Sequence, residues 1–96
     1  MANDMDYLLR LYIAGISTNN IEAVRDFKQL LDDKFHENYR LEVIDIFENP
    51  HLAAGEKIVA TPTLMKLMPP PIQKVILDFN NKERLLLRID LILQDG

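Results

Sequence analysis

Four of the five prolines in this chain fall inside one short stretch, "ATPTLMKLMPPP", Ala60–Pro71. Proline fixes φ and carries no backbone N–H, so no helix interior and no central strand can continue across these prolines. Pro62 follows a threonine at the head of an apolar run, and Pro69, Pro70 and Pro71 stop that run. The stretch therefore divides the chain into a part before it and a part after it, and each half is read separately.

The part before it follows a simple order. "YLLRLYIAG", Tyr7–Gly15, is short, apolar and ends on glycine, as a buried strand does. In "STNNIEAVRDFKQLLDDKF", Asn19 is placed to cap a helix while Glu22 reaches back, a capping box. Ile21, Val24, Leu31 and Phe35 fall on one helical stripe, widened by Phe27 and Leu30. "YRLEVIDIF", Tyr39–Phe47, is a second buried strand, which makes residues 7–47 a βαβ unit with parallel strands and a right-handed crossover. Asn49 and Pro50 suit an N-cap and first helical position, so a short helix is expected over Pro50–Lys57. Gly55 weakens it by about 1 kcal/mol relative to alanine.

The part after the prolines satisfies two periods at once. In Ile72–Phe79, Ile72, Val75, Ile76 and Phe79 make a helical stripe, while Val75, Leu77 and Phe79 alternate with polar neighbours as in a strand. In "NNKERLLLRIDLIL", Asn80 and Glu83 form a capping box ahead of a helical face of Leu85, Ile89, Ile92 and Leu93. Yet Leu85, Leu87, Ile89, Leu91 and Leu93 alternate without a break. One reading is the ordinary ambiguity of short apolar runs, which pattern alone favours. The other is that two packings lie within a few kcal/mol of each other. With the capping boxes taken at face value the order is β-α-β-α-β-β-α. The last two strands, Thr63–Leu67 and Ile72–Phe79, then form a hairpin with the triple proline in its connection, where missing donors do no harm.

That order resembles the thioredoxin-like fold, in which the strand after the second helix opens on a cis-proline, the place Thr61–Pro62 occupies. Where thioredoxins carry their redox cysteines, this chain has "AGISTNN". The resemblance sharpens in "LRLYIAG", "VIDIFENPHLA", "KIVATPTLMKLMPPP" and "NNKERLLLRIDLIL". Together these are similar to the KaiB family of circadian clock proteins, from about Tyr7 to Leu93. "ATPTL" followed by "PPP", after "DIFENP", is the specific combination; "TPT" alone is a weak signal.

Several expectations come with that resemblance. The family is not enzymatic. It binds KaiC, a hexameric RecA-like ATPase, and counters KaiA. A related domain is the sensor of a histidine kinase that also docks on KaiC, and KaiB-like proteins outside oscillators are linked to stress adaptation. KaiB is metamorphic: a homotetrameric ground state of order βαββααβ exchanges with a monomeric thioredoxin-like βαβαββα state that is competent for KaiC. The chain is thus expected to be one domain over residues 1–96, with a polar lead (1–6), a constant βαβ half (7–47) and a switchable half (48–96). By match to the family, Lys57 and Lys74 fall on basic positions of the docking face beside Pro69, Pro70 and Pro71. Tyr7, Pro62, Pro70, Arg88 and Asp90 fall on fold-switch positions. Departures are Arg88 and Leu77, where the clock proteins tend to have glycine, and Glu22, Glu42 and Gln73, where basic residues are common. Replacing glycine by Arg88 raises helix propensity by roughly 0.8 kcal/mol, which tilts the balance toward the thioredoxin-like form.

Composition narrows the alternatives. The 96 residues carry a net charge of −4 and no basic cluster, a poor match to nucleic acid or an anionic membrane. No run of apolar residues is long enough to span a bilayer, and "MANDMD" lacks the architecture of a secretory signal. The absence of cysteine removes disulfides, thiol chemistry and thiolate zinc. The cytoplasm is the simplest location; the resemblance adds a homo-oligomer, tetramer or dimer, and no cofactor, no metal and no catalytic residue is expected. His36 and His51 have no second ligand at metal spacing and read as surface residues. Ser17 and Thr18 stand in the place of the redox cysteines, and a glutathione-type ligand site at Ser17 beside Pro62 is the competing functional reading. Loop and capping roles are the simpler assignment for both. "GEK" is too short for a phosphate loop, and Asp32 and Asp33 read as solvated helix surface. Lys57, Lys66 and Lys74 flank the proline segment, either as docking cations or as solubilising charge. A detached kinase sensor domain is a further alternative.

Overall fold

The computed structural model describes residues 7–35 and 38–93. The polar lead (1–6) and His36 lie outside the described residues, as does the Leu93 side chain. The elements are β1 (Tyr7–Ile13), α1 (Thr18–Phe35), β2 (Tyr39–Asp45), α2 (Pro50–Gly55), β3 (Thr63–Met68), β4 (Gln73–Ile76) and α3 (Lys82–Leu93). The sheet order is β2-β1-β3-β4. β1 and β2 run parallel, with Leu9 beside Leu41, and β3 runs antiparallel to both β1 and β4. Of the two architectures left open by the sequence, this is the thioredoxin-like βαβαββα form.

The βαβ half forms as its pattern dictates, with two corrections. The helix cap is Ser17, not Asn19. The Ser17 hydroxyl accepts from the Asn20 amide at 3.1 Å, and the Ser17 carbonyl accepts from the Ile21 amide at 2.9 Å. Asn20 is used differently: its Nδ2 donates to the carbonyls of Ala14 (3.1 Å) and Gly15 (2.8 Å), folding the loop back on the end of β1. Gly15 lies at φ +90°, a conformation glycine adopts without the Cβ penalty. Ile21, expected on the apolar stripe, is exposed, because the helix starts early enough to leave it outside the sheet's footprint; Phe27 and Leu31 fill the core instead.

The next helix ends at Gly55, shorter than the expected Pro50–Lys57, and Lys57 turns the chain at φ 58°. Asn49 precedes Pro50, but its side chain makes no cap; Nδ2 donates to the Asp45 carbonyl at 3.2 Å.

The ambiguous half resolves as strand first, helix second. In Gln73–Ile76 the strand period wins. Leu77 is buried and Val75 and Phe79 pack against the core, whereas Ile72 and Ile76, which a helical stripe would bury, are exposed. In Lys82–Leu93 the helical period wins: Leu85, Ile89 and Ile92 are buried, and Leu87 (64% exposed) and Leu91 (69%) face water. The cap is Asn81 rather than Asn80; its Oδ1 accepts from the Arg84 amide at 3.0 Å and its carbonyl from the Leu85 amide at 2.9 Å. Asn80 instead directs its amide to the Asp78 carboxylate. Leu9, Leu11 and Ile13 of β1 meet Phe27, Leu31, Leu64, Leu77, Leu85, Ile89 and Ile92 in one core on the α1/α3 side of the sheet.

Candidate partner-docking face

The proline segment is tied down from both ends. At its start the Thr61–Pro62 bond is cis, the Pro62 carbonyl accepts from the Leu77 amide at 2.9 Å, and the Thr63 hydroxyl donates to the Ala60 carbonyl at 2.7 Å. At its end Met68–Pro69 and Pro70–Pro71 are also cis. Lys66, read from sequence as one of three flanking surface cations, is 1% exposed. It alternates onto the core side of β3 in line with Leu64, and its Nζ donates to the Pro69 carbonyl at 2.9 Å. A buried ammonium needs such a partner. Lys66 is therefore a structural brace of the β3–β4 connection and not a docking cation.

The other two lysines come together. β4 is an edge strand, and beside it lies a groove of about 220 Å³ lined by Lys57, Ile58 and Val59 on one wall and Thr63, Lys74, Val75 and Ile76 on the other. Lys74 Nζ donates to the Glu56 carbonyl at 2.8 Å, which fixes the strand against the end of α2. Positive φ at Lys57 sets the turn that forms the other wall. Val59, Ile72 and Ile76 leave apolar surface exposed around the two cations. Pro70 and Pro71 are exposed at the far end of the hairpin, with Pro69 half-buried.

The residues matched to the fold switch occupy separate places. Tyr7 packs on Phe35 (ring centroids 5.0 Å), which in turn meets Tyr39 (6.1 Å). Asp90 on α3 pairs with Lys34 on α1 at 2.6 Å. Arg88 is exposed on α3, and Pro62 sits at the head of β3. Ser17, whose hydroxyl caps α1, already has a structural role, and His51 is exposed at the start of α2.

Two polar features escaped the sequence reading. Arg10 Nε holds Glu42 at 2.9 Å across β1 and β2. Tyr39 donates its hydroxyl to Asp32, so that carboxylate is engaged by α1's neighbouring strand rather than simply solvated. Burial, then the Asp32 hydrogen bond and charge, push the Tyr39 phenol well above its ordinary value. Parallel register, which pattern cannot number, decides the Arg10–Glu42 pair, and the packing of α1 against β2 decides the other. Among the described residues no group of three or more potential metal ligands gathers, and no helix is long and apolar enough to cross a membrane.

The order and pairing of these elements define a thioredoxin-like protein. The chain superimposes on the thioredoxin Deadhead of Drosophila melanogaster with a TM-score of 0.64 at 16% identity, covering 90% of this chain and 83% of that one. The N-terminal domain of Synechococcus elongatus SasA gives 0.64 at 22% identity over 100% of this chain and 92% of that one. Sequence comparison is more specific. The KaiB domain model matches residues 10–91. The circadian clock oscillator protein KaiB of Rippkaea orientalis is 44% identical over 89 residues, 93% of this chain and 86% of the relative. Its namesake in a Nostoc species is 44% identical over 93% of this chain and 82% of the relative. The chain belongs to the KaiB family.

Proposed function

We propose that this chain is a non-catalytic, cytoplasmic regulatory protein that docks on a KaiC-type hexameric RecA-like ATPase, in a circadian-clock or stress-adaptation system. The observation that carries the reading is the convergence of Lys57 and Lys74 on one apolar groove at the β4 edge. Cations bordered by exposed apolar residues suit a protein surface better than a small polar metabolite. A KaiA-like protein or a histidine kinase with a KaiB-like sensor would share or compete for the same partner.

Residues 48–96 are the switchable half, and docking proceeds by conformational selection. If only a fraction of molecules holds the βαβαββα form, apparent affinity falls by that fraction. Tyr7, Pro62, Pro70, Arg88 and Asp90 set the balance, with the Lys34–Asp90 pair joining α3 to the constant half.

Size-exclusion chromatography with light scattering, with and without a KaiC homologue, tests the docking. The mixture is expected to give a larger complex than either component, and Lys57→Glu with Lys74→Glu is expected to abolish it. A complex indifferent to both reversals would remove the groove from the argument. Arg88→Gly should raise the population of a second fold by NMR; an unchanged spectrum sinks its place in the switch.

A further inference from the structure

β4 ends the sheet on one side, and its outer edge has a depression on each face. The register that pairs Val75 with Leu64 and Lys74 with Met65 also sets Leu77 against Pro62, whose carbonyl accepts from the Leu77 amide at 2.9 Å. Odd-numbered positions of this strand therefore aim their backbone groups at β3. Backbone direction alternates along a strand, so Lys74 and Ile76 present N–H and C=O outward, a template for an added strand. Side chains alternate as well. Those of Lys74 and Ile76 lie on the α2 side, in the groove shared with Lys57 and Val59. Val75 packs on the α3 side, where it lines a second depression of about 310 Å³ with Leu91 and Ile92. A strand laid along the edge would drop successive side chains into one depression and then the other, the way sheet edges read extended peptides.

The two depressions ask for different chemistry. On the α2 side Lys57 and Lys74 stand together, and among the described residues neither forms an ion pair with a carboxylate. The bond from Lys74 to the Glu56 carbonyl uses one of three ammonium donors and leaves the charge unmatched. Ile72 and Ile76 are exposed two residues to either side of Lys74, and Leu91 is exposed on the α3 side. We propose that this edge binds an extended segment of a partner protein, antiparallel to β4, with a carboxylate opposite Lys74 and apolar residues opposite Ile76, Val75 and Ile72. From its own N-terminus the segment reads apolar, apolar, acidic, any residue, apolar. A second copy of β4, Gln73–Ile76, carries no carboxylate to set against the lysines, so the occupant is another protein. The inference rests on the docking reading of the Lys57–Lys74 groove and adds what that groove recognises in its partner.

The probe is the capped peptide Ac-SVVETVS-amide, titrated into the intact, isotope-labelled chain and followed by NMR. Saturable binding is expected, with a dissociation constant below about 1 mM. The Lys74 and Ile76 amides should gain protection from hydrogen exchange, while Val75, already paired with Leu64, should not. N-methylation reads the backbone directly. Methylating the glutamate nitrogen, which faces Lys74, should abolish binding; methylating the threonine nitrogen, which points away from the edge, should change it less than about twofold. Lys74→Glu should weaken binding about fivefold or more, and a peptide with lysine in the glutamate's place should recover it. No saturable binding, equal losses from the two methylations, or a K74E protein that binds the original peptide like wild type would overturn the proposal. A peptide that fails beside an ATPase complex still abolished by Lys57→Glu with Lys74→Glu would reject strand addition alone; the docking reading falls only with the complex itself.

Discussion

Leu77 offers the sharpest test of how the ambiguous half packs. It is buried at the end of the β3–β4 hairpin, inside the main core, and its amide is held by the Pro62 carbonyl. Leu77→Ala keeps that backbone bond and deletes three buried carbons. At about 0.8 kcal/mol per buried carbon the transfer loss is about 2.5 kcal/mol. The cavity left behind adds about 1–2 kcal/mol if its walls do not collapse. A domain of this size holds about 5–15 kcal/mol in all, so the variant should lose about a third of its stability. Urea unfolding followed by circular dichroism reads this as a midpoint shift of at least about 1 M with the slope unchanged. Ile76→Ala is the control. Ile76 is exposed in the strand but would lie on the buried stripe of a helix over the same residues. The strand reading expects its loss to stay under about 1 kcal/mol. Equal losses at Ile76 and Leu77, or a larger one at Ile76, would refute the assignment of strand period to this segment.

Two further outcomes follow from single groups. The Tyr39 phenol has a raised pKa in the folded chain, so its contribution is intact below about pH 10 and is lost as pH climbs through the folded value. Tyr39→Phe should therefore flatten the alkaline limb of a stability–pH profile; an unchanged limb would place the effect elsewhere. Gly15→Ala should cost about 1–2 kcal/mol in thermal or urea unfolding, because a Cβ at positive φ is strained and would sit 3.3 Å from the Phe47 ring.

How much of this was legible depended on whether one period or two fitted a segment. Residues 7–47 carried a single reading; the cap was misplaced, since Ser17, Asn19 and Asn20 all have capping side chains and loop closure at Gly15 chose among them, and Ile21 was assigned to the buried stripe although it is exposed. Downstream, Leu85 and Ile89 satisfy both periods, and only packing against Phe27 and Leu31 separates them from Leu87 and Leu91. The Lys57–Lys74 convergence was available only through the family resemblance, because it depends on hairpin register. Lys66 was misread because charge argues for the surface, and no local pattern announces a carbonyl waiting beneath it.

That brace has a consequence for anyone who would move the hairpin. Three consecutive prolines offer carbonyl acceptors and no N–H donors, so the β3–β4 connection cannot stitch itself to its own strands. Its donor is supplied by Lys66 from the strand below. A graft that transplanted the exposed face, keeping Lys57, Lys74 and the prolines but trimming Lys66 as a surplus charge, would carry the letters of the docking surface without its scaffold. The transferable module is the surface together with the one lysine that water never reaches.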